Sequence, residues 1–148
     1  SKDVFYISEH RHSYSNTSEF KNDIIGKKDI ILMPISVTRF EAEKAKNELQ
    51  QKGFKVGIIH LVNLKPFEIK QSWVKAIKKS KFGVLMTDND YKDGILRVLA
   101  HKVYEKTNKN VSVIGLKDKS AGHHRKVDNL PPNKNDIVQM VKSIIKKK

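Results

Sequence analysis

Apolar residues arrive along this chain in short unbroken runs, separated by stretches in which they recur every three or four positions. The runs are Ile30-Ile31-Leu32-Met33, Val56-Gly57-Ile58-Ile59, Phe82-Gly83-Val84-Leu85-Met86 and Val111-Ser112-Val113-Ile114. Continuous runs of this length predict strands covered on both faces, as in a parallel sheet. After the first run, Thr38-Arg39-Phe40-Glu41 has capping-box spacing, in which Thr and Glu satisfy free amides at a helix start. That helix is expected to reach about Gln51 and to stop at Gly53. Pro66 suits the first position of a second helix, whose apolar face is Ile69, Trp73 or Val74, and Ile77. Trp73 and its neighbours read as core. Ile95, Val98, Leu99 and Val103 outline a third helix. Beyond a histidine-rich loop and the breaker Pro131-Pro132, Ile137, Met140 or Val141, and Ile144 outline a fourth.

Strand and helix thus alternate with short joints, which predicts a three-layer α/β domain with a largely parallel sheet and helices on both faces. The regular pattern begins at Asp29. Upstream, Val4-Phe5-Tyr6-Ile7 is a lone strand candidate, and residues 8–22 are polar without helical or strand period, as in a linker or extended arm. The expected division is therefore 1–28 and 29–148.

Composition narrows the function classes. The chain has 148 residues, enough for one domain with a real core. It has no cysteine, which excludes disulfides and thiolate metal sites and makes a cytoplasmic setting the expectation. No apolar run approaches a membrane span, and the opening residues do not read as a secretory signal. The net charge of +14 changes the picture most, because a basic chain can neutralise nucleic-acid phosphates. The cations are overwhelmingly lysine and dispersed, however. Arginine is confined to Arg11, Arg39, Arg97 and Arg125, and no aromatics interleave with the charge. Solvated lysine faces are the expectation, with no nucleic acid bound, and the tail Lys146-Lys147-Lys148 reads as a frayed terminus. A stand-alone basic module for nucleic acid or an acidic partner is the alternative.

Three blocks carry a resemblance. Residues 55–67, Lys-Val-Gly-Ile-Ile-His-Leu-Val-Asn-Leu-Lys-Pro-Phe, are similar to a motif in which a strand runs into Asp-Leu-x-x-Leu-x-Pro. His60 replaces the Asp, while Leu61, Leu64 and Pro66 keep the spacing. Residues 5–14, Phe-Tyr-Ile-Ser-Glu-His-Arg-His-Ser-Tyr, resemble the last strand of a pyrimidine-binding domain. Val113-Ile114-Gly115-Leu116-Lys117-Asp118, Gly122-His123, Leu130 and Asp136-Ile137 resemble a closing section of the same family. Together they resemble the C-terminal domain of transketolase-like thiamine-diphosphate enzymes. Within that group they stand closest to the beta subunit of the decarboxylating component of pyruvate and other 2-oxo acid dehydrogenases. Residues 87–94, read as the loop after the third strand, depart from the family by lacking its glutamate and glycine-rich run.

The resemblance implies a domain that packs against the pyrimidine-binding domain of its own subunit and against a partner subunit, in a dimer or heterotetramer. It implies thiamine diphosphate and magnesium in the parent enzyme, held between other domains, where the cofactor supplies the carbanion chemistry. This chain contains neither the Gly-Asp-Gly diphosphate motif nor the catalytic glutamate, which belongs to another domain. It is expected to bind no cofactor and to catalyse nothing alone. The resemblance also places Glu9, His10 and Arg11 near the substrate channel, where a cation or hydrogen-bonding group would orient an anionic substrate. As linker residues they would instead form interdomain ion pairs.

Other constellations are weaker. His10 with His12, and His123 with His124, have neither cysteine nor a carboxylate at ligand spacing. Asp88-Asn89-Asp90 and Asp93-Gly94 echo a calcium loop, but Lys92 and Leu99 fall where oxygen ligands are required, so a turn and helix cap is expected.

Overall fold

The computed structural model describes residues 17, 19–119 and 129–146. Four strands and four helices alternate along the described residues: β1 (Ile30–Pro34), α1 (Thr38–Gln51), β2 (Val56–Ile58), α2 (Gln71–Lys79), β3 (Val84–Tyr91), α3 (Ile95–Thr107), β4 (Val111–Leu116) and α4 (Lys134–Lys146); the strand expected at residues 4–7 lies outside them. The sheet has the order β2-β1-β3-β4, and every pairing is parallel. Successive side chains on a strand point to opposite faces, so the apolar run of β1 serves two cores. Ile30 and Leu32 join Ala42, Ala45 and Leu49 of α1 and Ile137 and Val141 of α4. Ile31 and Met33 join Ile77 of α2 and Leu96, Leu99 and Val103 of α3. The expected three layers are present.

This division of helices has a topological reason. The chain steps from β1 to β2 in one direction with α1 on one face. It then returns past β1 to β3 in the opposite direction with α2 on the other face. Reversing both direction and face preserves one handedness of crossover, as strand twist requires. Two glycines make the tight joints possible. Gly53 has φ 85° and ends α1, with its N–H on the Gln50 carbonyl and that of Phe54 on the Leu49 carbonyl. Gly83 has φ 87°, and a β-carbon there would sit 2.1 Å from the Asn110 carbonyl oxygen.

Four sequence expectations require correction. The capping box is absent: Val37 precedes α1, and no side chain caps it. Thr38 and Glu41 instead find distant partners, described below. Pro66 does not open α2, which starts at Gln71 after an extended stretch. In that stretch Leu64, Phe67 and Ile69 pack against the α2–α3 core, which secures them without a helix. The segment 87–94, expected as a loop and turn, begins as strand. β3 continues to Tyr91, pairing Thr87 with Ile114 and Tyr91 with Leu116 across a register irregularity. On α3 the buried stripe is Leu96, Leu99, Ala100, Val103 and Thr107, which leaves Ile95 and Val98 exposed.

Before β1, Asp23 forms an antiparallel bridge with Ile58, their N–H and carbonyl groups exchanging bonds of 2.9 Å. Residues of this segment therefore lie along the outer edge of β2. Among the described residues no helix is long and apolar enough to cross a membrane.

Candidate functional site

In open parallel sheets, ligands gather beyond the carboxyl ends of the strands, where neighbouring connections diverge. Here they diverge between β1 and β3. Side chains fill that crevice. The Thr87 hydroxyl donates to the Thr38 hydroxyl at 2.8 Å. Thr38 Oγ1 lies 2.7 Å from the Ile35 carbonyl and 3.1 Å from that of Thr87, and the Ile35 N–H also reaches the Thr87 carbonyl at 2.8 Å. Asp88 follows, buried on β3. Burial pushes its carboxyl up, against the backbone N–H bonds from Asn89 and Asp90, with the Asp90 charge adding to the rise.

The open space lies one strand over. A cleft of about 400 Å³ has walls from the segment after β2 (His60, Val62, Asn63), the first turn of α1 (Arg39), the approach to α2 (Pro66, Glu68, Lys70, Trp73) and the amino-terminal segment (Phe20, Asn22). His60 is its hub. The His60 backbone N–H donates to Asn22 Oδ1 at 2.8 Å, and its ring stacks on Phe20 with centroids 5.0 Å apart. Nε2 lies 2.9 Å from Glu43 Oε1, and the Arg39 Nε–H points at Nδ1 over 3.4 Å. A guanidinium can only donate, so Nδ1 accepts and the proton on Nε2 goes to Glu43, which fixes a neutral tautomer. Burial lowers the His60 pKa, Arg39 and Lys46 push the same way, and Glu43 opposes them.

Charge in this cluster is unbalanced. Glu43 gives its second oxygen to Lys46 at 2.9 Å, so its carboxylate serves one cation and a neutral ring. Arg39 lies over the Phe20 ring at 5.2 Å and has no carboxylate partner among the described residues. Partial burial lowers its pKa from a very high starting value, so it remains a cation. Lys70, also lining the cleft, stands 5.7 Å over the Trp73 ring. A second, smaller opening near the end of β4 offers less, because Asn129 spends its amide on the backbone of Lys117 and Lys119.

Glu9, His10, Arg11, His12, His123 and His124 lie outside the described residues. Sequence reasoning met His60 only as a departure from a motif and passed over its partners. The available signal was Arg39 and Glu43 at i and i+4, which share one helix face. Trp73 packs against the α2–α3 core as expected, but it also lines the cleft. Among the described residues no three acidic or histidine side chains converge as a metal site would require.

The sequence model of the family described as "Transketolase, C-terminal domain" matches residues 23–137. No curated protein sequence matches the chain. Solved structures share the fold. A split-gene transketolase, described as an inactive beta4 tetramer, superposes with a TM-score of 0.68 at 16% identity over 90% of this chain. The 2-oxoglutarate:ferredoxin oxidoreductase of Magnetococcus marinus superposes with a TM-score of 0.64, also at 16% identity over 90% of this chain. This chain spans 45% of the first protein and 21% of the second.

Proposed function

The chain belongs to the transketolase C-terminal domain family, and from that premise we propose that it is the C-terminal domain of a thiamine-diphosphate-dependent enzyme acting on a 2-oxo acid or ketose. The observation that carries the reading is the family match across β1 to the start of α4, on a sheet of the family's fold. The described residues do not fit the cofactor themselves: they offer no converging metal ligands, and the chain has no Gly-Asp-Gly motif. In this reading thiamine diphosphate and magnesium sit on other domains, and this domain holds the assembly together in the cytoplasm. In its finer form the reading is the beta-type subunit of a 2-oxo acid dehydrogenase component.

Residues 1–28 would then leave a preceding pyrimidine-binding domain, and 29–148 would form the present one. Exposed apolar side chains support packing against that neighbour and a partner subunit. Ile25 is 89% exposed and Val98 52%, surface that a neighbouring domain or subunit would cover. Glu9, His10 and Arg11 would reach the substrate channel, Arg11 holding a carboxylate or phosphate by paired hydrogen bonds. The basic-module alternative has no support in the family match, and several lysines are already paired with carboxylates, among them Lys28 with Asp23 and Lys134 with Glu48.

The test is reconstitution with the diphosphate- and pyrimidine-binding regions encoded beside this chain. The chain alone should take up no thiamine diphosphate in calorimetry with magnesium present. The assembly should turn over a 2-oxo acid or ketose and lose activity when this domain is omitted. Micromolar cofactor binding by the chain alone, or full activity without it, would overturn the reading. In the assembly, Arg11→Ala should lower kcat/KM by about tenfold or more with cofactor affinity unchanged. A lowered Tm with kinetics intact would mark Arg11 as a linker residue.

A further inference from the structure

The His60 cleft has features that its own residues do not explain. Arg39 is oriented by two contacts, its guanidinium over the Phe20 ring and its Nε–H toward His60 Nδ1. The bond to His60 uses only Nε, which leaves the two terminal nitrogens as a planar fork. A fork of that shape matches a carboxylate in two parallel hydrogen bonds. Glu43 does not fill it: its oxygens face His60 and Lys46, and it forms no ion pair with Arg39. Among the wall residues Arg39 and Lys70 are cations and Glu68 is the single carboxylate, so the charge facing the space is positive. The other walls mix the polar Asn22, Asn63 and neutral His60 with the apolar Phe20, Val62, Pro66 and the partly buried Trp73. The space, about 400 Å³, is within the range of small-molecule sites.

We propose that this cleft binds a small carboxylate with a flat apolar body, its carboxylate on the Arg39 fork and its body between Val62 and Trp73. The neutral state of His60 is part of the design. A protonated ring would turn Nδ1 into a donor facing the Arg39 Nε–H, two donors would oppose each other, and the fork would swing away. Lys70 supplies a second positive charge that draws the anion in. This inference stands on the cleft alone and does not depend on the parent enzyme's activity.

Trp73 is the sole tryptophan of the chain, so its fluorescence reports directly on the cleft. The full chain would be titrated with benzoate and, as a neutral isostere, benzamide, with amide NMR shifts recorded in parallel. Benzoate should saturate the Trp73 signal and shift the amides of Arg39, His60 and Val62, binding about tenfold or more tightly than benzamide. Arg39→Gln should remove that preference, Arg39→Lys should restore part of it, and Lys70→Gln should weaken benzoate by a smaller factor. Equal responses to the two probes in the unaltered chain, or shifts confined to other faces, would overturn the proposal. So would undiminished benzoate binding in a folded Arg39→Gln variant. If Arg39→Gln does not fold, the probe comparison and Lys70→Gln decide the matter.

Discussion

The hydroxyls of Thr38 and Thr87, 49 residues apart, meet at 2.8 Å and close the crevice between β1 and β3. Each threonine is almost wholly buried, and together with the Ile35 carbonyl they satisfy one another. Replacing Thr38 strands the Thr87 hydroxyl, whose acceptor it is, and replacing Thr87 removes the donor to Thr38. Thr38→Val or Thr87→Val should each lower stability by about 1–3 kcal/mol in denaturant unfolding. The double variant should lose less than the sum, because removing both partners leaves nothing unpaired. Strict additivity would show that the two hydroxyls act independently.

Glu41 reaches across the domain. Its Oε2 accepts the backbone N–H of Lys134 at 2.8 Å, at the first residue of α4, while Oε1 takes Lys44 at 2.6 Å. Burial alone would raise its carboxyl, but Lys44 and the Lys134 N–H outweigh it and bring the pKa down. A carboxylate at a helix start satisfies a free amide and the helix dipole. Glu41→Ala should cost about 1 kcal/mol, and Glu41→Gln less, since the amide oxygen still accepts. Hydrogen exchange should locate the loss in the first turn of α4 rather than in α1.

His60 gives a pH dependence of known sign. Its folded pKa lies below that of the unfolded chain, so the unfolded state takes up the proton first as pH falls. Stability is therefore present above roughly pH 6.5 and is lost as pH falls toward the folded value. Arg39 and Lys46 resist protonation and Glu43 favours it, so the slope reflects their balance together with burial. Thermal unfolding from pH 7.5 to 5 should show Tm of the unaltered chain falling more steeply than that of His60→Gln. Equal slopes would mean that His60 titrates the same way in both states.

Asp88 has the opposite sign. Its folded pKa is raised, so the native state holds the proton more tightly than the unfolded chain does. The associated stability is present below the ordinary aspartate range and is lost as pH rises through the folded pKa. At neutral pH the ionised carboxylate is a burden. Asp88→Asn keeps an oxygen for the Asn89 N–H, now 2.8 Å from Asp88 Oδ1, and removes the buried charge. Its Tm at pH 7 should exceed that of the unaltered chain, and the gain should vanish below about pH 4.

Much of the fold was legible because parallel strands announce themselves locally. The run Ile30-Ile31-Leu32-Met33 is apolar at every position, which suits only a strand covered on both faces. Gly53 marked the end of α1 because a left-handed cap needs no distant partner. Errors arose where polar residues found partners far away. Thr38 and Glu41 looked like a local capping box, yet one bonds to Thr87 and the other to Lys134. Thr87-Asp88-Asn89-Asp90 looked like a loop, yet β4 and the amino end of α1 satisfy its polar groups well enough to keep it in strand.

The sequence by itself determined the alternation of elements and the three layers, since both follow from period and spacing within a few residues, and its motifs carried the resemblance to the family. Only the tertiary structure decided the cleft. Phe20, Arg39, His60 and Trp73 come from four separate segments that no local pattern connects. Whether Arg39 meets a carboxylate or a neutral imidazole depends on the register of α1 against the end of β2. That register is set by packing Ala42, Ala45 and Leu49 into the core, a contact made between elements rather than within one.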